Sequence, residues 1–206
     1  MDSDRCLSYN ENVELIGDII EISLHTILQM RQVYPQFTFE RKQKWGAVVY
    51  KSRVGVVQSY ITELIRCIKV ELHKDNVENV IIIIKNSMEV GIERYIFNVQ
   101  NVLDRDIPDH LKDEEFAGGL TRSQVGVYAR AILIRLSSLD ALLEPIDESQ
   151  DLTFSVLLET KDENAGLAND KSWIGATDTA TDRDIIPVRS LDTGIINLKL
   201  LCQDFN

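Results

Sequence analysis

The sequence has few of the features that secretion, metal binding or membrane insertion require. Its three cysteines, Cys6, Cys67 and Cys202, stand far apart and form no CxxC pair, which argues against a disulfide framework or a zinc site and for a reducing compartment. The N-terminal residues lack the apolar stretch of a signal peptide, and no apolar run approaches the ~20 residues that cross a bilayer. We therefore expect a soluble intracellular protein with no membrane partner, no metal and no cofactor.

Basic residues are also scarce. The chain has 22 Lys and Arg against 33 Asp and Glu, which gives a net charge of −11. A protein that binds nucleic acid directly normally presents a basic surface to the phosphates. We expect no direct contact with nucleic acid, so that if the protein works at DNA, another protein must hold it there. The alternative is that the acidity only aids solubility.

Sequence signatures of catalysis are absent. His25, His73 and His110 have no second ligand at metal-binding spacing, and no GxSxG, Walker or GxGxxG pattern occurs. The carboxylate runs at 104–106 and 113–115 lie among other charges, whereas a catalytic pair needs an apolar setting to separate its pKa values. They indicate a solvated loop. The sequence therefore predicts no enzyme, and an enzyme of unrecognised type is the weaker alternative.

Three segments carry apolar residues at spacings of three and four, which is typical of amphipathic helices. Ser8 with Glu11, and Thr121 with Gln124, match the capping-box pattern at the start of the first and third segments. The apolar face of the first segment is so broad that it predicts a central helix packed on more than one side. The predicted helices span about 12–34, 56–73 and 122–143.

Between and after the helices lie shorter apolar segments that predict strands. Residues 80–84 are almost all isoleucine and predict a strand buried on both faces, and 92–99 follow as its hairpin partner. Further strands are predicted at 152–159, 185–188 and 195–202. This order of elements predicts an α+β domain with an antiparallel sheet and helices on one side.

The polar stretch 161–184 interrupts this pattern. It is rich in Asp, Asn, Thr, Ala and Gly, and Trp173 is its one aromatic residue. A connection of more than ~15 residues without secondary structure is usually either functional or disordered in a compact domain. This segment therefore carries the most information about function.

Four short stretches, taken in their order and spacing, resemble the HORMA domain. They are RQVYP at 31–35, FERK at 39–42, ERYIF at 93–97 and IIPVRSL at 185–191. The resemblance covers about residues 13–201. It implies a tail at 1–11, one HORMA domain at 12–206 and, within it, a mobile C-terminal safety belt at about 161–206. It also implies that a partner peptide adds a strand to the sheet while the belt wraps over it.

Within the family, the chain is similar to the branch that provides the small accessory subunit of translesion DNA polymerase zeta. Two features match that branch. One is Trp173, in the sequence Ser172–Trp173–Ile174, and the other is Tyr60 with Cys67 on the second helix. The match implies a nuclear (also cytoplasmic) adaptor in DNA damage tolerance, bound to a proline-containing peptide of the catalytic subunit. The alternative is the spindle-checkpoint branch, which captures kinetochore or inhibitor peptides and usually has tryptophan where this chain has Tyr95.

Tyr60 and Trp173 are the residues that this match assigns to the peptide. An aromatic anchor offers a large apolar surface at a low cost in side-chain entropy. The alternative for Trp173 is a residue that only fixes the loop to the core. The alternative for Tyr60 is a place in the core, because it falls on the apolar face of its helix.

The resemblance implies two further surfaces. Ile185, Lys199 and Leu201 match positions that bind the C-terminal domain of the translesion deoxycytidyl transferase, although the branch often has glutamine and tyrosine where this chain has Lys199 and Leu201. Core packing is the alternative for Leu201. The resemblance implies a surface for pairing with the same or another HORMA protein at Arg41, Arg130 and Ala141. It also implies that an AAA+ HORMA remodeller acts on the protein. For Arg130 the alternative is a solvated helix charge.

Overall fold

The computed structural model describes residues 5–102, 107–146, 151–161, 173 and 185–205. No helix in these ranges is long and apolar enough to cross a membrane. Three helices and seven strands form an α+β domain, which confirms the predicted fold class. In chain order they are α1 (Tyr9–Met30), β1 (Phe39–Lys44), β2 (Ala47–Ser52), α2 (Gly55–His73), β3 (Val77–Lys85), β4 (Gly91–Asn101), α3 (Arg122–Leu139), β5 (Thr153–Thr160), β6 (Ile185–Asp192) and β7 (Ile196–Asp204).

Helix α1 is the central helix, as predicted. It packs against α2, α3 and β2, and apolar side chains all along it are fully buried. It begins at Tyr9, three residues earlier than expected, because the capping box closes there: Ser8 N donates to Glu11, and Glu11 N donates to the Ser8 hydroxyl. The capping box of Thr121 and Gln124 is also confirmed, at the start of α3.

Three details of the helix predictions are wrong. Helix α1 ends at Met30 rather than at about 34. Helix α3 ends at Leu139 rather than at 143, although Leu143 is buried in the turn that follows. The apolar spacing of Val125, Tyr128 and Ile132 predicts that Tyr128 lies on the buried face of α3, but 42% of its surface is exposed. The buried face of α3 instead follows Val125, Ala129 and Ile132, and Tyr128 lies beside that row rather than in it.

The main sheet has five antiparallel strands in the order β5–β3–β4–β7–β6. Strand β3, which lies between β5 and β4, is buried on both faces from Val80 to Ile84, as predicted. Val80, Ile82 and Ile84 belong to the main core with the helices, while Ile81 and Ile83 alternate to the other face. The order leaves β5 and β6 as the two outer strands, at opposite edges of the sheet.

The C-terminal strands β6 and β7 form a hairpin that pairs with β4, at the edge far from β5. Leu191, Leu198 and Leu200 of this hairpin are buried in the core. Its turn contains Gly194, whose φ of +81° favours glycine. The hairpin is therefore an integral part of the domain, and the chain reaches it only by passing from one edge of the sheet to the other.

Candidate functional site: the outer edge of β5

Strand β5 is paired along one edge, and no described residue pairs with its other edge, which we call the open edge. It pairs with β3 along its whole length, from Thr153 opposite Lys85 to Thr160 opposite Val77. On its other side, the described ranges contain no strand that pairs with it. An edge strand presents backbone N–H and C=O groups that can pair with a strand of another chain. The open edge of β5 is therefore able to accept an extended peptide.

An aromatic cluster lies at the start of β5. The ring of Phe154 contacts Tyr60 of α2 edge to face, with centroids 5.9 Å apart, and it contacts Tyr34 in the same way at 6.4 Å. Tyr60 is 50% exposed, so it is not part of the buried face of α2, which was the alternative reading. The cluster thus places an accessible aromatic surface beside the open edge.

Both tyrosines of this cluster are kept in the neutral phenol form at physiological pH. Partial burial raises the pKa of Tyr60. Burial also raises the pKa of Tyr34, and the neighbouring Tyr60 adds to the effect. A neutral phenol combines an apolar ring with one hydroxyl that can donate or accept a hydrogen bond. The cluster therefore suits a ligand that offers apolar side chains and backbone carbonyls.

Trp173 is half-buried and packs against the main core. Its indole Nε1 atom is buried and has no hydrogen-bond partner among the described residues. A buried N–H without an acceptor costs about 1–3 kcal/mol, so this group can gain from an acceptor on a bound ligand. The adjacent Ser172 and Ile174 lie outside the described residues, as do 104–106 of the predicted charged loop.

The connection from β5 to β6 has a long path to cover. Four strand spacings of about 4.8 Å separate the two outer strands, a span of roughly 19 Å. Residues 161–184 link them, and at about 3.3 Å per extended residue they reach up to ~80 Å. The link is about four times longer than the direct crossing needs. Its length therefore allows the chain to pass around a strand added at the β5 edge.

At the start of this link, Lys161 is held to the turn that precedes β3. Its backbone N donates to the Asn76 carbonyl at 3.0 Å, and its ammonium group forms an ion pair with Asp75 at 2.7 Å. Asp75 has a φ of +54°, so the turn that presents its carboxylate is tight. These contacts set the direction in which the chain leaves β5.

The predicted scaffold-binding residues Ile185, Lys199 and Leu201 come together on one face of the sheet. Leu201 and Lys199 alternate with Leu200 and Cys202, which are buried in the core, so they point to the opposite face. Ile185 is 52% exposed and lies directly opposite Gln203 on the next strand. Leu201 is therefore not a core residue, which was its alternative.

The residues predicted for HORMA pairing are brought together only in part. Arg41 is exposed on β1, and Arg130 is exposed on α3. The Arg130 guanidinium packs on the β1–β2 turn, where a methyl group at Gly46 would lie 3.4 Å from Nη1. Arg130 is therefore an exposed charge whose guanidinium lies beside this turn. Ala141 lies at the other end of α3, just past its last turn.

Sequence reasoning missed two members of the aromatic cluster, Tyr34 and Phe154. The sequence pattern predicts Tyr34 as the end of the first helix, and it predicts Phe154 as one of several apolar residues of a strand. Nothing in the sequence indicates that residues 120 positions apart share a contact, which requires the β5 register to be known. An aromatic residue at the start of an outer strand is the one signal that was available.

The described residues contain no cluster of three or more His, Cys, Asp or Glu side chains that could hold a metal ion. His25 is buried in the core, where Ser52 N donates to its Nδ1 atom at 3.4 Å. Burial, with a smaller effect of Lys51, lowers its pKa to about 4. It is therefore neutral at physiological pH and serves to accept that bond.

Comparison with known proteins gives a consistent result. The HORMA domain family model matches residues 13–165. The chain is 29% identical to the DNA polymerase zeta processivity subunit of Schizosaccharomyces pombe over 205 residues, covering 94% of this chain and 93% of that one. It is 24% identical to the mitotic spindle assembly checkpoint protein MAD2B of Danio rerio over 200 residues, covering 93% and 90%.

Solved structures share the fold at low sequence identity. A chain in the crystal structure of the mitotic checkpoint complex superposes with a TM-score of 0.78 at 17% identity, covering 95% of this chain and 99% of that one. C. elegans HTP-2 bound to the HIM-3 closure motif superposes with a TM-score of 0.73 at 11% identity, covering 98% and 92%. At this identity the likeness supports the fold alone.

Proposed function

Because this chain belongs to the HORMA domain family, we propose that it is a non-catalytic adaptor that captures a partner peptide at the outer edge of β5. The observation that carries the proposal is the position of the C-terminal hairpin. Strands β6 and β7 occupy the β4 edge, so that no described strand covers the outer edge of β5, and the link between the two edges starts beside it. The solved HTP-2 relative is bound to a closure motif, which is a precedent for a captured segment.

Backbone pairing with β5 supplies affinity for the captured strand, and the aromatic cluster of Tyr34, Tyr60 and Phe154 supplies selectivity. Trp173 closes over the strand from the link, and its indole N–H, which has no acceptor among the described residues, donates to the bound peptide. Once 161–184 lie across the strand, release requires that the link first moves away. Slow dissociation is the expected consequence.

The adaptor role that fits best is that of the accessory subunit of translesion DNA polymerase zeta. The relative from S. pombe carries that name and aligns over nearly the whole of both chains. The captured segment is then a proline-containing peptide of the catalytic subunit, and the protein acts in the nucleus in DNA damage tolerance. With a net charge of −11, it reaches DNA through this partner rather than by direct contact.

Two further contacts complete the proposed adaptor. The face of the sheet that carries Ile185, Lys199 and Leu201 binds the C-terminal domain of the translesion deoxycytidyl transferase. It lies at the edge of the sheet away from β5, so both partners can be held at once. Arg41 and Arg130, joined through the β1–β2 hairpin, and Ala141 form the surface for a second HORMA protomer, and an AAA+ remodeller reopens the belt.

The experiment uses overlapping 30-residue peptides that cover the catalytic subunit of polymerase zeta from the same organism, with binding measured by fluorescence anisotropy. We expect at least one peptide to bind, and Tyr60→Ala and Trp173→Ala each to weaken it by at least about tenfold, the scale of an interface anchor residue. Tyr128→Ala is the matched control, because Tyr128 is a similarly exposed tyrosine (42% against 50%) on a different helix.

If no peptide binds, or if Tyr60→Ala behaves like Tyr128→Ala, the proposal is wrong. If a spindle-checkpoint peptide binds at β5 and no polymerase peptide does, capture stands and the polymerase assignment falls. Truncation after Lys161 is not a suitable control. It removes Leu191, Leu198 and Leu200 from the core, so the shortened chain is not expected to fold.

A further inference from the structure

Phe37 and Val56 are the two most exposed large apolar side chains among the described residues, at 82% and 81%. The chain segments that carry them adjoin, although 19 positions separate the two residues. Phe39 is paired with Ser52 in the β1–β2 ladder, and Arg53 N donates to the Thr38 carbonyl at 2.7 Å. The backbone at Phe37 therefore lies next to the segment 54–56 that leads into α2. We call Phe37, Val54 and Val56 the flanking patch.

The flanking patch adjoins the aromatic cluster at the β5 edge. Val56 precedes Tyr60 by one turn of α2, so both lie on one side of that helix. Phe37 follows Tyr34 by three residues across a short 3-10 turn. Tyr34 and Tyr60 both contact Phe154 at the start of β5, so Phe37 and Val56 each lie within four residues of a member of the cluster.

The patch is not needed by the core of the domain. None of its three side chains belongs to the core or packs against it, and Val54 is also exposed, at 38%. Exposed apolar side chains that occur singly need no explanation, but a contiguous group beside a binding edge is typical of an interaction site. Exposed Arg53 lies within the patch and gives its rim a positive charge.

We propose that the flanking patch binds a large apolar side chain of the captured peptide, in the part of that peptide that continues past the start of β5. This inference rests on the proposed capture of a peptide at that edge. One turn of α2 is about 5.4 Å long, and alternate residues of a strand are about 6.6 Å apart on one face. The apolar residue therefore lies about two positions beyond the residue that contacts Tyr60.

A second copy of this chain is a poorer occupant. A stable interface buries about 800 Å² on each partner, whereas three side chains of this size offer roughly a few hundred Å². One extended segment that is already fixed at β5 needs no more area than that, since pairing with β5 has already limited its freedom to move.

The experiment is a selection of random 16-residue peptides displayed on phage against the full chain, followed by anisotropy with synthetic copies of the enriched peptides. The test variant is Phe37→Ser with Val56→Ser. The matched control is Val127→Ser with Ile134→Ser, two apolar side chains exposed at 67% and 52% on α3. Because all four side chains are exposed, we expect both variants to fold, and urea unfolding midpoints verify this.

We expect peptides selected on the wild type and on the control to share a large apolar residue outside the segment that contacts Tyr60. Such a peptide should bind the Phe37→Ser, Val56→Ser variant about tenfold more weakly. Replacing the apolar residue of the peptide by serine should remove the difference between the two proteins, as expected for two groups in direct contact.

Four results overturn the inference. In the first, the peptides show no preference for an apolar residue outside that segment. In the second, they bind the test variant with unchanged affinity while Tyr60→Ala still weakens binding. In either case capture stands and the patch is not a subsite. If the patch substitutions convert a dimer into a monomer in light scattering without changing peptide affinity, its occupant is a second copy. If no selected peptide responds to Tyr60→Ala, the proposed capture fails as well, and that readout does not involve the patch.

Discussion

Arg31 and Glu93 form an ion pair inside the domain. The Arg31 Nε atom donates to Glu93 Oε2 at 3.0 Å, and the two side chains are 5% and 0% exposed. The Tyr95 hydroxyl donates to the same carboxylate at 2.8 Å, and Arg31 also binds Asp140 at 2.6 Å. The pair joins the end of α1 to β4, the strand on which the C-terminal hairpin rests, and to the end of α3.

We expect Arg31→Leu to lower the free energy of unfolding by about 3–5 kcal/mol, because it leaves the Glu93 carboxylate buried without its counter-charge. Urea unfolding measures the change. Arg66→Leu is the control, since Arg66 and its partner Glu63 are both more than half exposed and such pairs contribute at most about 1 kcal/mol. Equal effects of the two substitutions would contradict a structural role for the buried pair.

A second prediction concerns acid sensitivity. Burial lowers the pKa of His25 to about 4, below the ~6.5 of an unfolded histidine. The unfolded chain therefore binds a proton between these values and the folded protein does not. The stability that this contributes is fully present above pH 6.5 and is lost as the pH falls toward 4, with a loss on the order of 2–3 kcal/mol.

The measurement is urea unfolding at several pH values from 7.5 to 4 for the wild type and His25→Gln. We expect the variant to lose less stability over this window. The slope of its unfolding free energy against pH should be smaller by the equivalent of about one bound proton. His110→Gln serves as the control because His110 is exposed. A wild-type profile parallel to that of His25→Gln would show that His25 does not titrate as its burial implies.

The turn between β6 and β7 should be sensitive to a single methyl group. Gly194 has a φ of +81°, and a Cβ there would lie 3.1 Å from the Gly118 carbonyl oxygen. We expect Gly194→Ala to destabilise the protein by about 1–2 kcal/mol and to speed hydrogen exchange in β6 and β7. Gly55→Ala is the control, because its Cβ meets nothing within 4 Å, and its effect should be neutral or slightly stabilising.

The three thiols should differ in reactivity. Cys67 and Cys202 are buried, and burial raises the pKa of Cys202 well above its usual range. Cys6 is only partly buried, with Sγ 3.2 Å from the Gly119 carbonyl oxygen. In a titration of the native protein with a thiol reagent, we expect Cys6 alone to react quickly and the others only in urea. Fast reaction of Cys202 would indicate that β7 leaves β4 readily.

Much of the fold follows from local patterns. The three helices, the buried β3 strand and both capping boxes were predicted, because apolar periodicity and caps depend on residues close in the chain. Element ends were less certain. In the structure α1 starts at Tyr9 and α3 ends at Leu139, and both ends differ from the prediction. Tertiary contacts decide how far a helix extends.

The candidate site was predicted only in part. Tyr60 and Trp173 came from the family resemblance, and their role in peptide binding stays a prediction. The exposure of Tyr60 and the orientation of Leu201 away from the core had to be observed, because a helical position or a strand face is consistent with either environment until its neighbours are known. Phe154 and Tyr34 were missed for the same reason.

The sequence by itself determined which segments are helices and strands, the acidic charge and the family, because these depend on composition and on short-range spacing. Only the tertiary structure decided which strand is left open. Strand order arises from pairing between distant segments, and β6 and β7 have nothing in their local pattern that selects the β4 edge over the β5 edge. That choice leaves β5 beside Tyr34, Tyr60 and the flanking patch, and so places the proposed peptide site.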